Sequence, residues 1–195
     1  MKKRLLFFDL KKYLKHKNAL VITGMRQVGK TTLMRQLYDE IEDNPKLWFD
    51  FENPLDQKVF EDEDYNVIYK RLVEMVGIKN KRLYVFLDEI QNFPEITRIM
   101  KYIIEHYGIK FIVTGSSSYY LKNLFPESLS GRKFLYVLPP LTFKEYLYFN
   151  DIITLEEAQE KNIEFLLVQT DIFLYKNMKQ HTTSTLILEV FQKLS

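Results

Sequence analysis

Cysteine is missing from this chain, and with it go disulfide frameworks and thiolate metal sites, a usage that suits a reducing cytoplasm. Long apolar runs are missing too. None approaches a membrane span, and Leu5-Leu6-Phe7-Phe8 is stopped at once by Asp9, too short a core for a signal peptide. These absences lead to the expectation of a soluble, cytoplasmic chain that uses no membrane. An excess of one charge is also lacking: 28 Lys and Arg stand against 26 Asp and Glu, so no global field recommends nucleic acid as a partner. The basic first twenty residues and the acidic stretch from Asp39 to Asp64 read as solvated faces rather than binding arms. His16, His106 and His181 are scattered and offer no metal site of their own. There is no internal repeat and no low-complexity tract.

What is present is enough apolar sequence for one sizeable domain: 46% of 195 residues, which is short for two full domains. Aromatic content of 15% is more simply core packing than base stacking. Strand-like segments at Ala19 to Thr23, Leu47 to Phe51, Leu83 to Leu87, Phe111 to Thr114 and Phe134 to Leu138 alternate with helix-like ones. The helical stretches are an N-terminal segment with Leu5, Leu6, Leu10, Tyr13 and Leu14 at helical spacing, then Thr31 to Ile41, Asn66 to Met75, Glu95 to Glu105 and Phe143 to Tyr148. That alternation predicts an α/β fold with a parallel five-stranded sheet covered on both faces. Pro139-Pro140 marks the end of the last strand. We expect a core over residues 1–150 and a short tail over 151–195, with a helix from Leu155 to Val168 broken by the polar run from Lys176.

Gly24-Met25-Arg26-Gln27-Val28-Gly29-Lys30-Thr31-Thr32 is an unbroken G-x-x-x-x-G-K-T between a strand and a helix, the Walker A pattern of a phosphate-binding loop. Its residue types suit the task. Gly24 and Gly29 let the backbone approach phosphates, Lys30 reaches the β- and γ-phosphates, and the Thr31 hydroxyl fills one position around Mg²⁺. Leu83-Tyr84-Val85-Phe86-Leu87 then ends in Asp88-Glu89, a Walker B-like pair at the sheet edge where α/β folds bind ligands. Asp88 is the candidate metal ligand and Glu89 the candidate base that polarises an attacking water. A second apolar strand ends in Thr114-Gly115-Ser116, where Thr114 or Ser116 is placed to sense a γ-phosphate, a role compatible with ordinary helix capping. Arg132, just before the last strand, reads as an arginine finger or a surface ion pair.

Five segments together resemble, in order and spacing, the prokaryotic AAA-like ATPases known as AAA domain 14. They are Gly24 to Leu33, Phe86-Leu87-Asp88-Glu89-Ile90-Gln91, Thr114 to Ser118, Ser128-Leu129-Ser130-Gly131-Arg132, and Pro140-Leu141-Thr142-Phe143-Lys144-Glu145-Tyr146. The resemblance implies a P-loop NTPase core of the ASCE type with strand order 5-1-4-3-2, ATP and Mg²⁺ as ligands, and Glu89 as catalytic base. It places Arg26, Gln27, Val28 and Thr32 in the nucleotide-binding loop and gives Arg132 added weight as a catalytic residue. Members of the family usually continue into a region called DUF4143, which residues 151–195 do not match, so the tail reads as truncated relative to the family.

The leading expectation is therefore a Mg²⁺-dependent ATPase that couples nucleotide state to a protein partner, a homo-oligomer or a conformational change. The alternative is a nucleotide-gated binding module with negligible hydrolysis. A small-molecule kinase would need an acceptor pocket and a basic lid, neither of which is visible, and Asn80-Lys81-Arg82-Leu83 lacks the acid of a guanine-reading loop.

Overall fold

Ala19-Leu20-Val21-Ile22-Thr23 has no charge to solvate, and it becomes β1 (Ala19–Thr23), a strand with every residue buried. The computed structural model describes residues 1–77, 81–115, 129 and 131–159. Four more strands join β1: β2 (Lys46–Asp50), β3 (Tyr84–Asp88), β4 (Lys110–Gly115) and β5 (Lys133–Val137). All pair in parallel, in the order β2-β3-β4-β1-β5. This is the order implied by the resemblance, read from the opposite edge. The α/β class and the parallel five-stranded sheet are thus observed.

Burial on both faces explains the near-continuous apolar runs of β1, β3 and β4. Alternation along each strand then divides the core. Leu20, Ile22, Phe86 and Ile112 face the layer containing Phe7 and Leu10 of α1 (Leu5–Lys12) and Leu33, Met34 and Leu37 of α2 (Lys30–Asp39). Val21, Val85, Leu87, Phe111 and Val113 face the layer that holds α4 (Tyr65–Val76) and α5 (Ile96–Tyr107). Helix α5 buries Ile96, Ile99, Met100, Ile103 and Ile104, a stripe at helical spacing that directs one face to the sheet. Truncating one of these, such as Ile103, would cost about 2–5 kcal/mol.

Helix α3 (Pro54–Lys58) was not expected, and it has no buried residue to give an apolar stripe. Its start is local chemistry: Pro54 occupies the first turn, and the Asn53 side chain accepts from the Leu55 N–H at 3.1 Å. A short 3-10 turn (Ile90–Asn92) follows β3, and α6 (Phe143–Phe149) follows the Pro139-Pro140 segment. Chain contacts divide after Tyr146. Beyond that point the described residues include α7 (Leu155–Gln159), opened by a capping box in which the Thr154 N–H donates to Glu157 Oε2 at 2.7 Å and the Glu157 N–H donates to Thr154 Oγ1 at 3.2 Å. The expected continuation of this helix to Val168 lies outside the described residues. No described helix is long and apolar enough to cross a membrane.

Candidate functional site

At the C-terminal end of β1 the chain turns through residues 24–29 into α2. Two glycines make that turn. Gly24 has φ 155°, and a Cβ there would collide with the backbone carbonyl oxygen of Leu138, which follows β5. Gly29, at φ 93°, is the left-handed residue from which α2 starts. Gln27 is also left-handed, at φ 63°, and with Met25 and Arg26 forms the exposed tip of the loop. Unlike α3 and α4, which Asn53 and Asp64 cap, α2 has no side-chain cap and no acid in its first turn. Its N-terminal partial positive charge is left for something other than this chain's own carboxylates.

Lys30, the first residue of α2, is only 4% exposed. Its ammonium folds back across the loop and donates to the Met25 carbonyl at 2.9 Å. Thr31 is half-buried beside it and Thr32 exposed. Thr31 also faces β3, since its hydroxyl favours the ionised form of the Asp88 carboxyl.

Asp88 ends β3 and is 4% exposed. Burial pushes its carboxyl above the ordinary value of 3.8, against the Thr114 and Thr31 hydroxyls that pull the other way, and the neighbouring charges of Glu89 and Asp50 push it further up. The Thr114 hydroxyl donates to Asp88 Oδ1 and accepts from the Glu89 backbone N–H at 3.2 Å. Thr114 thus fixes both acids from β4. Glu89 is left-handed (φ 53°), an unusual conformation for a residue with a Cβ, and the Gln91 side-chain amide donates to its Oε2.

The structure brings Gly24, Gly29, Lys30, Thr31, Asp88, Glu89 and Thr114 to one edge of the sheet. It does not bring Arg132 there. Arg132 precedes β5 at the sheet's other edge, where its carbonyl accepts from the Ala19 N–H at 2.8 Å and its guanidinium pairs with Glu105. The length of β1 separates that edge from the loop, roughly 16 Å. Ser116 lies outside the described residues. Sequence reasoning passed over Gln91 and Asp50. Both were legible, Gln91 from its place two residues after Glu89, and Asp50 because it ends β2 level with Asp88.

These residues fit a hydrated divalent cation carried in with a nucleotide. The donor set is hard oxygen, the Asp88 carboxyl that ends β3 and the Thr31 hydroxyl in the first turn of α2. Among the described residues no group of three or more His, Cys, Asp or Glu could hold a metal, so the remaining ligands would be phosphate oxygens and water, as Mg²⁺ prefers. One further observation suits a ligand-binding edge: the hydroxyl of Thr23, last in β1 and 1% exposed, has no hydrogen-bond partner among the described residues.

The family model described as AAA domain matches residues 16–147. An uncharacterized protein of Methanocaldococcus jannaschii is 31% identical over 153 residues, covering 75% of this chain and 31% of that protein. One from Mycobacterium tuberculosis is 29% identical over 138 residues, covering 70% of this chain and 28% of that protein. The chain spans about a third of the length of these curated relatives. Among solved structures, the Aeropyrum pernix ORC1 protein in complex with DNA aligns with TM-score 0.53 and 18% identity, over 78% of this chain and 47% of that one. The Pif1 helicase of Candida albicans aligns with TM-score 0.51 and 12% identity, over 78% and 43%. At such identities the likeness concerns the fold alone.

Proposed function

This chain belongs to the AAA domain family of nucleotide-binding P-loop ATPases and has their α/β fold of the ASCE type, and from that premise we propose that it hydrolyses Mg²⁺-bound ATP to ADP and phosphate at the C-terminal edge of its sheet. The observation that carries the reading is that buried Lys30, which opens the uncapped α2, and buried Asp88, which ends β3 and is held by Thr114, lie at the same edge of the sheet.

Lys30 exchanges its Met25 carbonyl for the β- and γ-phosphates, whose negative charge is the stronger acceptor. The uncapped N-terminus of α2 and the backbone from Gly24 to Gly29 receive the remaining phosphate charge, with Arg26, Gln27, Val28 and Thr32 as the loop's other contacts. Asp88 and Thr31 would hold Mg²⁺, which when bound would neutralise charge on the phosphate oxygens. Glu89 accepts a proton from water. Its left-handed backbone and its bond from Gln91 set where the carboxylate sits, and Thr114 holds the adjoining backbone and reports the γ-phosphate. Arg132, at the far edge and paired with Glu105, has no part in the reaction within its own chain. A contribution from it would come across a contact with a second copy, and a protein partner would read the nucleotide state.

Steady-state hydrolysis with Mg²⁺, beside the Glu89→Gln variant and with ATP affinity measured in parallel, tests this. Turnover should fall by about 10²–10⁴-fold in the variant while affinity is retained. Unchanged hydrolysis would move the base elsewhere. The placement of Arg132 favours a second reading, a nucleotide-gated module. Tight ATP binding by the wild type without turnover would select it.

A further inference from the structure

Arg4 lies far from the phosphate loop in sequence, yet its side chain is only 11% exposed and reaches that loop. The guanidinium forks onto Glu145, Nε to Oε1 at 2.8 Å and Nη2 to Oε2 at 2.9 Å. Nη1 donates to the Val28 carbonyl at 3.0 Å, immediately before Gly29. Nη2 also donates to the carbonyls of Pro139 at 2.9 Å and Pro140 at 3.3 Å.

Glu145, 3% exposed, is as fully used. Besides Arg4 it accepts from the Leu5 N–H at 2.9 Å, the Thr142 N–H at 3.1 Å and the Thr142 hydroxyl at 3.0 Å. Burial alone would raise its carboxyl, but the Arg4 fork and the Thr142 and Leu5 amides outweigh burial and hold it below 4.5.

A pair serving only to anchor α1 would have no need of the Val28 carbonyl. The loop is gripped at two points by one stretch of chain: Gly24 lies against the Leu138 carbonyl, and Val28 is tied through Arg4 to residues 139–145. Any change in the loop at Val28 must be felt at the fork, because a planar guanidinium cannot shift one N–H without moving the others.

We propose that Arg4 and Glu145 are positioning residues that hold the phosphate loop in its nucleotide-binding shape and link nucleotide affinity to the docking of residues 139–145. This rests on the ATP-binding reading above. By reciprocity, nucleotide in the loop must then tighten the contacts that Glu145 makes with Leu5 and Thr142.

The test measures Mg·ATP affinity and thermal stability in four chains. They are the wild type, Arg4→Lys, which keeps the charge without the fork, Glu145→Gln, which keeps the shape without the charge, and Ile103→Val, which trims the core under α5. Amide exchange of Leu5 and Thr142 is followed in the wild type with and without Mg·ATP. Both clamp variants should lose about tenfold in affinity, Ile103→Val should lose Tm without losing affinity, and saturating Mg·ATP should slow both amides in the wild type. Wild-type affinity in the clamp variants would overturn the link while leaving the ATP reading intact. Absence of binding by the wild type would overturn both. Should either variant fail to fold, the wild-type amides decide, and exchange that ATP leaves unchanged would refute the link.

Discussion

Among the described residues two lysines are buried, Lys30 and Lys110, and they sit at opposite edges of one sheet. Lys110 opens β4, and its ammonium donates to the carbonyls of Tyr13 at 2.9 Å, His16 at 3.0 Å and Asn18. An ammonium has three N–H donors, and here each has a backbone acceptor from the turn between α1 and β1. Lys30 makes one such bond among the described residues, to Met25. A buried charge is costly unless its hydrogens are matched. The Lys110 hydrogens are therefore matched within the fold, whereas the proposed reading leaves those of Lys30 for a ligand to match. The acids repeat the contrast. Glu145 accepts from an arginine fork and two amides, which hold it ionised, whereas burial raises Asp88 beside a second carboxylate.

Substitutions at the two edges should then separate affinity from stability. The largest effect is expected for Lys30→Ala. Removing the triphosphate's buried counter-charge should weaken ATP by about 4 kcal/mol, on the order of 10³-fold, and unfolding should change by less than about 1 kcal/mol. Calorimetric titration and a urea melt read the two quantities separately. A loss of stability without a loss of affinity would erase the distinction.

Next comes Lys110→Met, which strands three carbonyls and should cost about 3 kcal/mol in the same melt while leaving the affinity of the folded chain unchanged. Burial and the nearby Arg82 guanidinium lower Lys110 to about 7 from 10.5. Its folded pKa lies below its unfolded one, so between about 7 and 10.5 the unfolded chain binds more protons. Stability from this group therefore rises with pH across that window. The Met variant should lose that slope.

The smallest effect belongs to Asp88→Asn. Because the folded carboxyl is raised above 3.8, its contribution to stability is present at low pH and is lost as pH rises through the raised value. At neutral pH the Asn variant should melt roughly 3 °C higher and hydrolyse ATP poorly. A lower Tm would show that ionised Asp88 is needed by the fold rather than tolerated for a ligand.

The legible parts of this molecule are those where local pattern and tertiary role coincide. The strands β1, β3 and β4 are apolar throughout because both faces are covered, and their expected limits differ from the observed ones by about a residue, as with Leu83 to Leu87 against Tyr84–Asp88. Strand order came from the resemblance, since no spacing in the chain encodes which strands are neighbours. Helix α3 escaped because a cap and a proline build it without an apolar stripe. At the site, the glycines, Lys30, Thr31 and the Asp88-Glu89 pair were readable as motifs. The side of the sheet on which Arg132 lies was readable as well, because a residue just before a parallel strand sits at the edge opposite the strands' C-terminal ends. Arg4 and Glu145 are 141 positions apart, and nothing local at either marks the pair.

The contrast between the two edges can be read in one experiment, hydrogen exchange of the whole chain with and without saturating Mg·ATP. The account predicts slowed exchange over residues 24–33, where Lys30 awaits its ligand, and unchanged exchange over residues 13–18, whose carbonyls Lys110 already holds. Protection at 13–18 with none at 24–33, or no protection at all, would contradict it.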